Sequence, residues 1–138
     1  MLEYRITARR IDAHDSEATC KDARLDLDTD PKGRPDAFNP AELLLAAVAD
    51  CMIKNIERVA PLLKLEIGGV EVSLYGTRQD SPLKMTSLTY ELIVDTDADD
   101  HKLELLHQNV RKYGTIYNTV AEATRLEGRI IRRLDARP

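Results

Sequence analysis

The chain has 138 residues, which suits one domain with its own hydrophobic core. Its net charge of -4 and its aromatic content of 4% are not those of a nucleic-acid-binding protein, which needs a basic surface and often stacking side chains. Four C-terminal arginines are interpreted as the solvated end of a strand, because no nucleic-acid-binding motif accompanies them: Arg129, Arg132, Arg133 and Arg137. We expect one domain over residues 1–138 and no nucleic-acid partner.

Three strands are predicted before the first helix. The segments YRITARRIDA and ARLDLD alternate in the manner of strands, and HDSEATCKD between them is typical of a turn and a return strand. The next segment, DTDPKGRPDAFNP, is rich in turn-forming residues and leads into the clearest helix of the sequence.

That helix begins within NPAELLLAAVADCMIKNI, at residues 39–56. Asn39 is a good N-cap, Pro40 suits the first helical position, and Glu42 is placed to complete a capping box. Pro61 is predicted to end the helix.

Apolar residues occupy two faces of this helix, with a narrow polar strip at Asp50, Lys54 and Glu57. One face carries Leu44, Ala47, Val48, Cys51, Asn55 and Arg58, and the other carries Leu45, Ala49, Met52, Ile56 and Ala60. We expect one face to pack on the domain's own sheet and the other on a second subunit, as in a homodimer.

The second half of the chain is predicted to continue with a hairpin, two helices and a strand. VEVSLYGT and SLTYELIVDT alternate on either side of a turn at SPLKM. DADDHKLELLHQNVRKYG predicts a helix with a stripe of Leu103, Leu106, Val110 and Tyr113 and with Gly114 as C-cap. TIYNTVAEAT predicts a third helix and RLEGRIIRR a last strand. The order β-β-β-α-β-β-α-α-β has no βαβ repeat, which predicts an α+β fold with antiparallel sheets.

Metal and cofactor chemistry is not indicated. His14, His101 and His107 have no ligand spacing to one another or to a cysteine, so each is interpreted as a hydrogen-bonded or solvated histidine. His107 lies beyond the predicted apolar stripe of its helix and could approach Cys51, but nothing in the sequence requires it. The sequence contains neither a phosphate-binding glycine loop nor a nucleophile elbow. We expect no metal and no bound cofactor.

Cys51 has two interpretations on position alone. A cysteine inside a helix is usually a small apolar core residue. Lys54 and Arg58 would favour a reactive thiolate, whereas Asp50 would oppose it. No apolar run approaches the ~20 residues of a membrane span and none is typical of a signal peptide, so we expect a cytoplasmic protein, no membrane partner, and free thiols at Cys20 and Cys51.

Two motifs add a family resemblance. NPAELLLAAVADC and, further on, KYGTIYNTV resemble the two cysteine motifs of the OsmC/Ohr family, whose second motif is commonly KYCPVSNTL. The order of strands and helices agrees along nearly the whole chain. The resemblance implies an intertwined homodimer in which sheets wrap around a long central helix and the sites lie at the subunit interface.

The family resemblance also implies a chemistry, that of thiol-dependent peroxidases that reduce organic hydroperoxides. A first cysteine, matching Cys51, attacks the peroxide, a second cysteine forms a disulfide with it, and an Arg and a Glu assist. Arg9, Arg10 and Arg34 are the candidates for that Arg. The pocket residues implied are Leu44, Val48, Asn55, Tyr113, Gly114, Tyr117 and Asn118.

The sequence departs from the family pattern at two positions. Gly114 stands where the second cysteine belongs, and Ala41 stands where the peroxidases have their Glu. Glu42 lies about 180° around the helix from Cys51 and is better explained as a cap. Cys20, on an early strand, is a less favoured substitute for the second cysteine.

Two hypotheses follow from these departures. Cys51 is the thiol of a one-cysteine peroxidase that uses an external thiol reductant and a small hydroperoxide. Alternatively, the dimer has lost the reaction and binds or senses a small apolar molecule.

Overall fold

Ten short elements make up the computed structural model, which describes residues 1–136. They are β1 Thr7–Arg10, β2 Asp15–Cys20, β3 Ala23–Asp28, α1 Pro40–Val59, β4 Val70–Asp80, β5 Leu83–Val94, α2 Asp100–Lys112, α3 Thr115–Ala121, β6 Arg125–Arg132 and a 3-10 turn at Arg133–Asp135. The predicted α+β class and the predicted order of strands and helices are confirmed. None of the helices in the described residues is long and apolar enough to span a membrane.

The chain divides into two compact units, Met1–Leu44 and Leu45–Pro138, and α1 begins in the first and continues through the second. The first unit contains an antiparallel sheet in the order β1-β2-β3. Arg34, within the turn-rich segment, binds two carboxylates of the sheet and one of its own segment: its Nη1, Nη2 and Nε atoms donate to Asp15 on β2, Asp26 on β3 and Asp36 over 2.7, 3.0 and 2.9 Å. The ion pairs tie this segment to the sheet.

The start of α1 has the predicted capping box. The Glu42 amide donates to the Asn39 side chain and the Asn39 amide donates to the Glu42 carboxylate, each over 2.9 Å. These reciprocal bonds satisfy two of the backbone N–H groups that a helix start leaves without partners. The helix ends at Val59, two residues before Pro61, as the sequence predicts.

The second unit has a three-stranded sheet in the order β4-β5-β6. The predicted hairpin is present, but β5 begins at Leu83, so the segment expected to be a turn contributes residues to the strand. The alternating side chains of β5 are buried as predicted. The fully buried core side chains are Val48, Met52, Ile56, Leu88, Leu92, Val94, Leu106 and Val110.

One strand pairing corrects the predicted antiparallel sheets. β6 pairs with β5 in parallel, with Tyr90 opposite Gly128. The connection through α2 and α3 is long enough to return the chain to the same end of the sheet, which a parallel pair requires. Because two helices, α2 and α3, connect these strands, the sequence does not show the usual pattern of one helix between two parallel strands. A Cβ atom on Gly128 would overlap Tyr90, which explains the glycine.

Candidate functional site

Cys51 lies in the middle of α1 and is half-buried, between the fully buried Val48 and Met52. The thiol is therefore neither sealed in the core nor free on the surface. Asp50 and Lys54 are exposed, as predicted for the polar strip. Both cysteines are free thiols, and Cys20 is the last residue of β2.

The same face of α1 carries two polar residues that connect to the sulfur. The Asn55 Nδ2 atom donates to the Cys51 Sγ atom over 3.7 Å, and the Arg58 Nη1 atom donates to Asn55 Oδ1 over 3.5 Å. Asn55 is only 4% exposed, whereas Arg58 is exposed. The predicted face is therefore present, and its polar members form a chain of hydrogen bonds that ends at the thiol.

Gly114 lies against the same sulfur. A Cβ atom on Gly114 would be 3.1 Å from Cys51 Sγ and 2.9 Å from both the Val110 carbonyl oxygen and the Tyr117 Cβ atom. The prediction that Gly114 is the C-cap of α2 is wrong: α2 ends at a Tyr113 cap, and Gly114 has an ordinary φ of -83° before α3. Lack of space, not an unusual backbone conformation, accounts for this glycine.

Behind Gly114 lies a small aromatic cluster formed by Tyr117, Tyr90 and His107. The Tyr117 and Tyr90 rings meet edge to face with centroids 6.4 Å apart, and Tyr90 meets His107 similarly at 5.7 Å. The Tyr90 hydroxyl and His107 Nε2 form a hydrogen bond of 2.6 Å. Burial and then the nearby Tyr117 raise the pKa of the Tyr90 phenol above its usual value. Burial and then Arg111 lower the pKa of His107.

The histidines have the hydrogen-bonded or solvated environments that the sequence predicts. His14 pairs with Asp30 over 2.8 Å at the surface, and His101 is exposed. The prediction that His107 lies beyond the apolar stripe is wrong, because its side chain is buried at 5% exposure. Its position, four residues after Leu103 and three before Val110, puts it on the stripe itself.

The remaining predicted pocket residues, Tyr113, Asn118 and Leu44, are exposed or belong to the first unit. Tyr113 is 53% exposed and its ring is covered by the Lys112 ammonium at 5.3 Å. Asn118 is exposed and donates to the Lys112 carbonyl over 3.1 Å. Leu44 is half-buried and is the last residue of the first unit. The second unit thus groups Cys51, Asn55, Gly114 and Tyr117, and Val48, three residues before Cys51 on α1, is fully buried.

The three arginines proposed from the resemblance all lie in the first unit. Arg9 pairs with Glu17 over 2.9 Å, and Arg10 is exposed. The hydrogen bonds of Arg34 to Asp36 and Asp15 raise its pKa above the usual range. That one of these three arginines assists the Cys51 thiol stays a prediction. The arginine that the structure connects to Cys51 is Arg58, whose helical spacing from Cys51 was the signal available in the sequence.

The C-terminal arginines are paired with carboxylates. Arg132 Nη1 donates to Asp100 over 2.7 Å, and Arg129 Nε donates to Glu91 over 2.9 Å. Arg133 lies 3.7 Å from Glu71. Arg137 lies outside the described residues. These pairs support the interpretation of a solvated strand end.

Two cavities in the described part of the second unit are lined by residues other than Cys51. One of about 320 Å³ is lined by Tyr90 and its strand neighbours, Ser73, Leu74, Tyr75, Thr89 and Glu91. Another of about 440 Å³ is lined by charged residues around Lys64 and Asp97. Within residues 1–136, no group of three or more His, Cys, Asp or Glu side chains is placed to hold a metal ion.

Comparison with solved structures gives closely similar folds at low sequence identity. An OsmC-like protein from Mycoplasma pneumoniae has a TM-score of 0.87 at 18% identity, covering 95% of this chain and 97% of that one. The organic hydroperoxide resistance protein OhrB of Bacillus subtilis has a TM-score of 0.65 at 22% identity, with 94% and 98% covered. An organic hydroperoxide resistance protein OsmC from Legionella pneumophila has 0.70 at 19%, with 94% and 97% covered.

Sequence comparison gives the family directly. No curated protein sequence matches the chain. The sequence pattern of the OsmC-like protein family matches residues 32–128, a stretch that includes α1, Cys51 and Gly114. The chain therefore belongs to the OsmC-like protein family.

Proposed function

We propose that this chain is a thiol protein of the peroxide-stress type that reduces organic hydroperoxides through Cys51. The observation that carries the proposal is the half-buried thiol, which lies against Gly114 and accepts a hydrogen bond from Asn55. A nucleophilic thiol needs partial access and a donor that stabilises its charge. Both family motifs contribute to this arrangement, since one supplies Cys51 and the other supplies Gly114.

In the proposed reaction, the Cys51 thiolate attacks the outer oxygen of a hydroperoxide, ROOH. A sulfur–oxygen bond forms, the O–O bond breaks, and the alkoxide leaves and takes up a proton as the alcohol ROH. Cys51 is oxidised to a sulfenic acid, and the peroxide is reduced. No metal or bound cofactor is part of this step.

The cycle proposed for Cys51 uses one protein cysteine. Gly114 has no thiol with which to resolve the sulfenic acid, so an external thiol attacks it, releases water and forms a mixed disulfide. A second external thiol then reopens that disulfide and regenerates Cys51. Such a cycle requires a reducing compartment, which agrees with the cytoplasmic location expected from the sequence.

We also propose that the functional unit is a homodimer. The first unit exposes large apolar side chains in the single chain: Leu2 at 81%, Tyr4 at 79%, Ile6 at 65%, Phe38 at 50% and Leu25 at 47%. Exposed apolar surface of this kind is typical of protein interfaces. Sedimentation equilibrium measures the molar mass in solution and so tests the dimer. A mass equal to that of the monomer at micromolar concentration would contradict the proposal.

A second candidate function is a small-molecule binder or sensor that has lost the peroxidase cycle. The crowding at Gly114 favours it, because a side chain there would meet the Val110 carbonyl oxygen at 2.9 Å. A cysteine side chain at this position would therefore need a local shift of the backbone or of Tyr117. On this hypothesis, Cys51 is a half-buried apolar residue beside an apolar ligand.

The test that separates the two candidates is turnover of cumene hydroperoxide with dithiothreitol or dihydrolipoamide. Wild-type protein is compared with Cys51→Ser and Cys20→Ser variants. We expect turnover to be lost only in Cys51→Ser. Loss in both variants would make Cys20 the resolving thiol, and hydroperoxide consumption that survives Cys51→Ser would refute the proposal. If the wild type consumed no hydroperoxide, the small-molecule binder or sensor would be the remaining candidate.

A further inference from the structure

Three residues one helical turn apart, Cys51, Asn55 and Arg58, are linked on α1. The Asn55 amide donates to the Cys51 sulfur over 3.7 Å, and the Arg58 guanidinium donates to the Asn55 carbonyl over 3.5 Å. Distances to sulfur are longer than those to oxygen because the sulfur atom is larger. The link runs from an exposed cation, through a buried amide, to the thiol.

Arg58 decides which end of the Asn55 side chain faces the sulfur. A guanidinium can only donate hydrogen bonds, so the Asn55 carbonyl oxygen must turn towards Arg58. The amide NH₂ then points at Cys51. Without Arg58, the amide could turn over and present its oxygen to the sulfur, which would repel a thiolate.

We propose that Asn55 is a catalytic residue that stabilises the Cys51 thiolate, and that Arg58 is the residue that positions it. The inference rests on the proposed function and identifies the groups that activate the thiol within α1 itself. A hydrogen bond donated to a charged acceptor is stronger than one donated to a neutral acceptor. The amide therefore favours the thiolate over the thiol.

The arrangement also has a purely structural explanation, in which Asn55 is a buried amide that happens to find two partners. The two explanations differ in what they say about the ionisation of the sulfur. A structural role affects unfolding and leaves the thiolate population unchanged. The proposed role changes the thiolate population in variants that remain folded.

The first experiment measures the thiolate directly by its ultraviolet absorbance at neutral pH. Asn55→Leu and Asn55→Asp are made in a Cys20→Ser background, and a protein with both Cys20→Ser and Cys51→Ser provides the blank. We expect both substitutions to lower the thiolate absorbance and to slow alkylation of Cys51 by iodoacetamide about tenfold. Unchanged absorbance and alkylation in the folded variants would overturn the proposal.

The second experiment uses Arg58, which is exposed and whose replacement therefore spares the core. We expect Arg58→Gln to slow alkylation several-fold and Arg58→Lys, which still donates, to restore most of the rate. Lys54→Gln is the matched control, because it removes an exposed cation from the same stretch of helix without touching Asn55. Equal effects of Arg58→Gln and Lys54→Gln would show that only general charge matters and would refute the positioning role.

The outcomes distinguish this inference from the proposed function. Thiolate absorbance and alkylation need no hydroperoxide turnover, so they test Asn55 and Arg58 even in an inactive protein. If Cys51→Ser abolishes turnover and the Asn55 variants match the wild type, the peroxidase stands and the role of Asn55 falls. If the wild type shows no turnover but the Asn55 variants lose the thiolate, the peroxidase proposal is refuted and the effect of Asn55 on the thiolate is supported.

Discussion

The Cys51 sulfur and the α-carbon of Gly114 are so close that a Cβ atom on the glycine would lie 3.1 Å from the sulfur. In a disulfide, each Cβ atom is about 3 Å from the sulfur of the other cysteine, given an S–S bond of about 2.05 Å. The two positions are therefore spaced as disulfide partners, although only one of them carries a thiol.

Gly114→Ala tests whether the space around the sulfur is full. The new methyl group would be too close to Cys51 Sγ, to the Val110 carbonyl oxygen and to Tyr117. We expect the free energy of unfolding to fall by about 1–3 kcal/mol, measured by urea denaturation. Gly69→Ala is the control, because a Cβ atom on Gly69 would meet nothing within 4 Å. Equal stability of the two variants would show that the site relaxes freely.

Gly114→Cys tests the disulfide geometry itself. We expect one equivalent of cumene hydroperoxide to convert the variant to an internal disulfide with Cys51, because the introduced Cβ atom is at disulfide distance from Sγ. Mass spectrometry of the intact protein and of its peptides measures the loss of two hydrogens and identifies the linked pair. Gly69→Cys serves as the control. A sulfenic acid that persists in Gly114→Cys would contradict the prediction.

The features that the sequence predicted correctly are set by neighbouring residues. The capping box needs only Asn39 and Glu42, three residues apart, and both of its hydrogen bonds are present. The buried face of β5 follows from strict alternation along one strand. The face of α1 that joins Cys51 to Asn55 follows from helical spacing alone.

The features that the sequence missed depend on residues far apart or on where an element ends. Parallel pairing of β5 with β6 depends on the path of the chain through α2 and α3. Tyr113 continues the spacing of the apolar stripe, but α2 ends before it, so its side chain is exposed. His107 is also on the stripe, but a polar side chain does not by itself predict burial. Its burial depends on the hydrogen bond with Tyr90, which comes from a distant strand.

Glu42→Gln tests whether Glu42 is a cap or a displaced catalytic acid. Glutamine can still accept the Asn39 amide, so we expect unchanged stability and an unchanged rate of hydroperoxide consumption. Asn39→Ala removes the other half of the box and should cost about 1 kcal/mol in the free energy of unfolding. A Glu42→Gln protein that is stable but about a hundredfold slower would instead identify Glu42 as catalytic.

The buried His107 predicts a stability that declines in mild acid. Burial lowers its pKa in the folded protein below the value near 6.5 of an exposed histidine. Between those two pKa values, the unfolded chain binds more protons than the folded one, so the free energy of unfolding rises with pH. The stability due to neutral His107 is fully present above about pH 6.5 and is lost as the pH falls towards the folded pKa.

Urea denaturation from about pH 7 to about pH 5 measures this decline, with His107→Gln compared with the wild type. We expect the decline with falling pH to be shallower in His107→Gln, because the variant has no imidazole to protonate on unfolding. His101→Gln is the matched control, since it removes an exposed histidine from the same helix. Parallel pH profiles for wild type and His107→Gln would contradict the prediction, because they would mean that His107 binds its proton equally well in the folded and the unfolded protein.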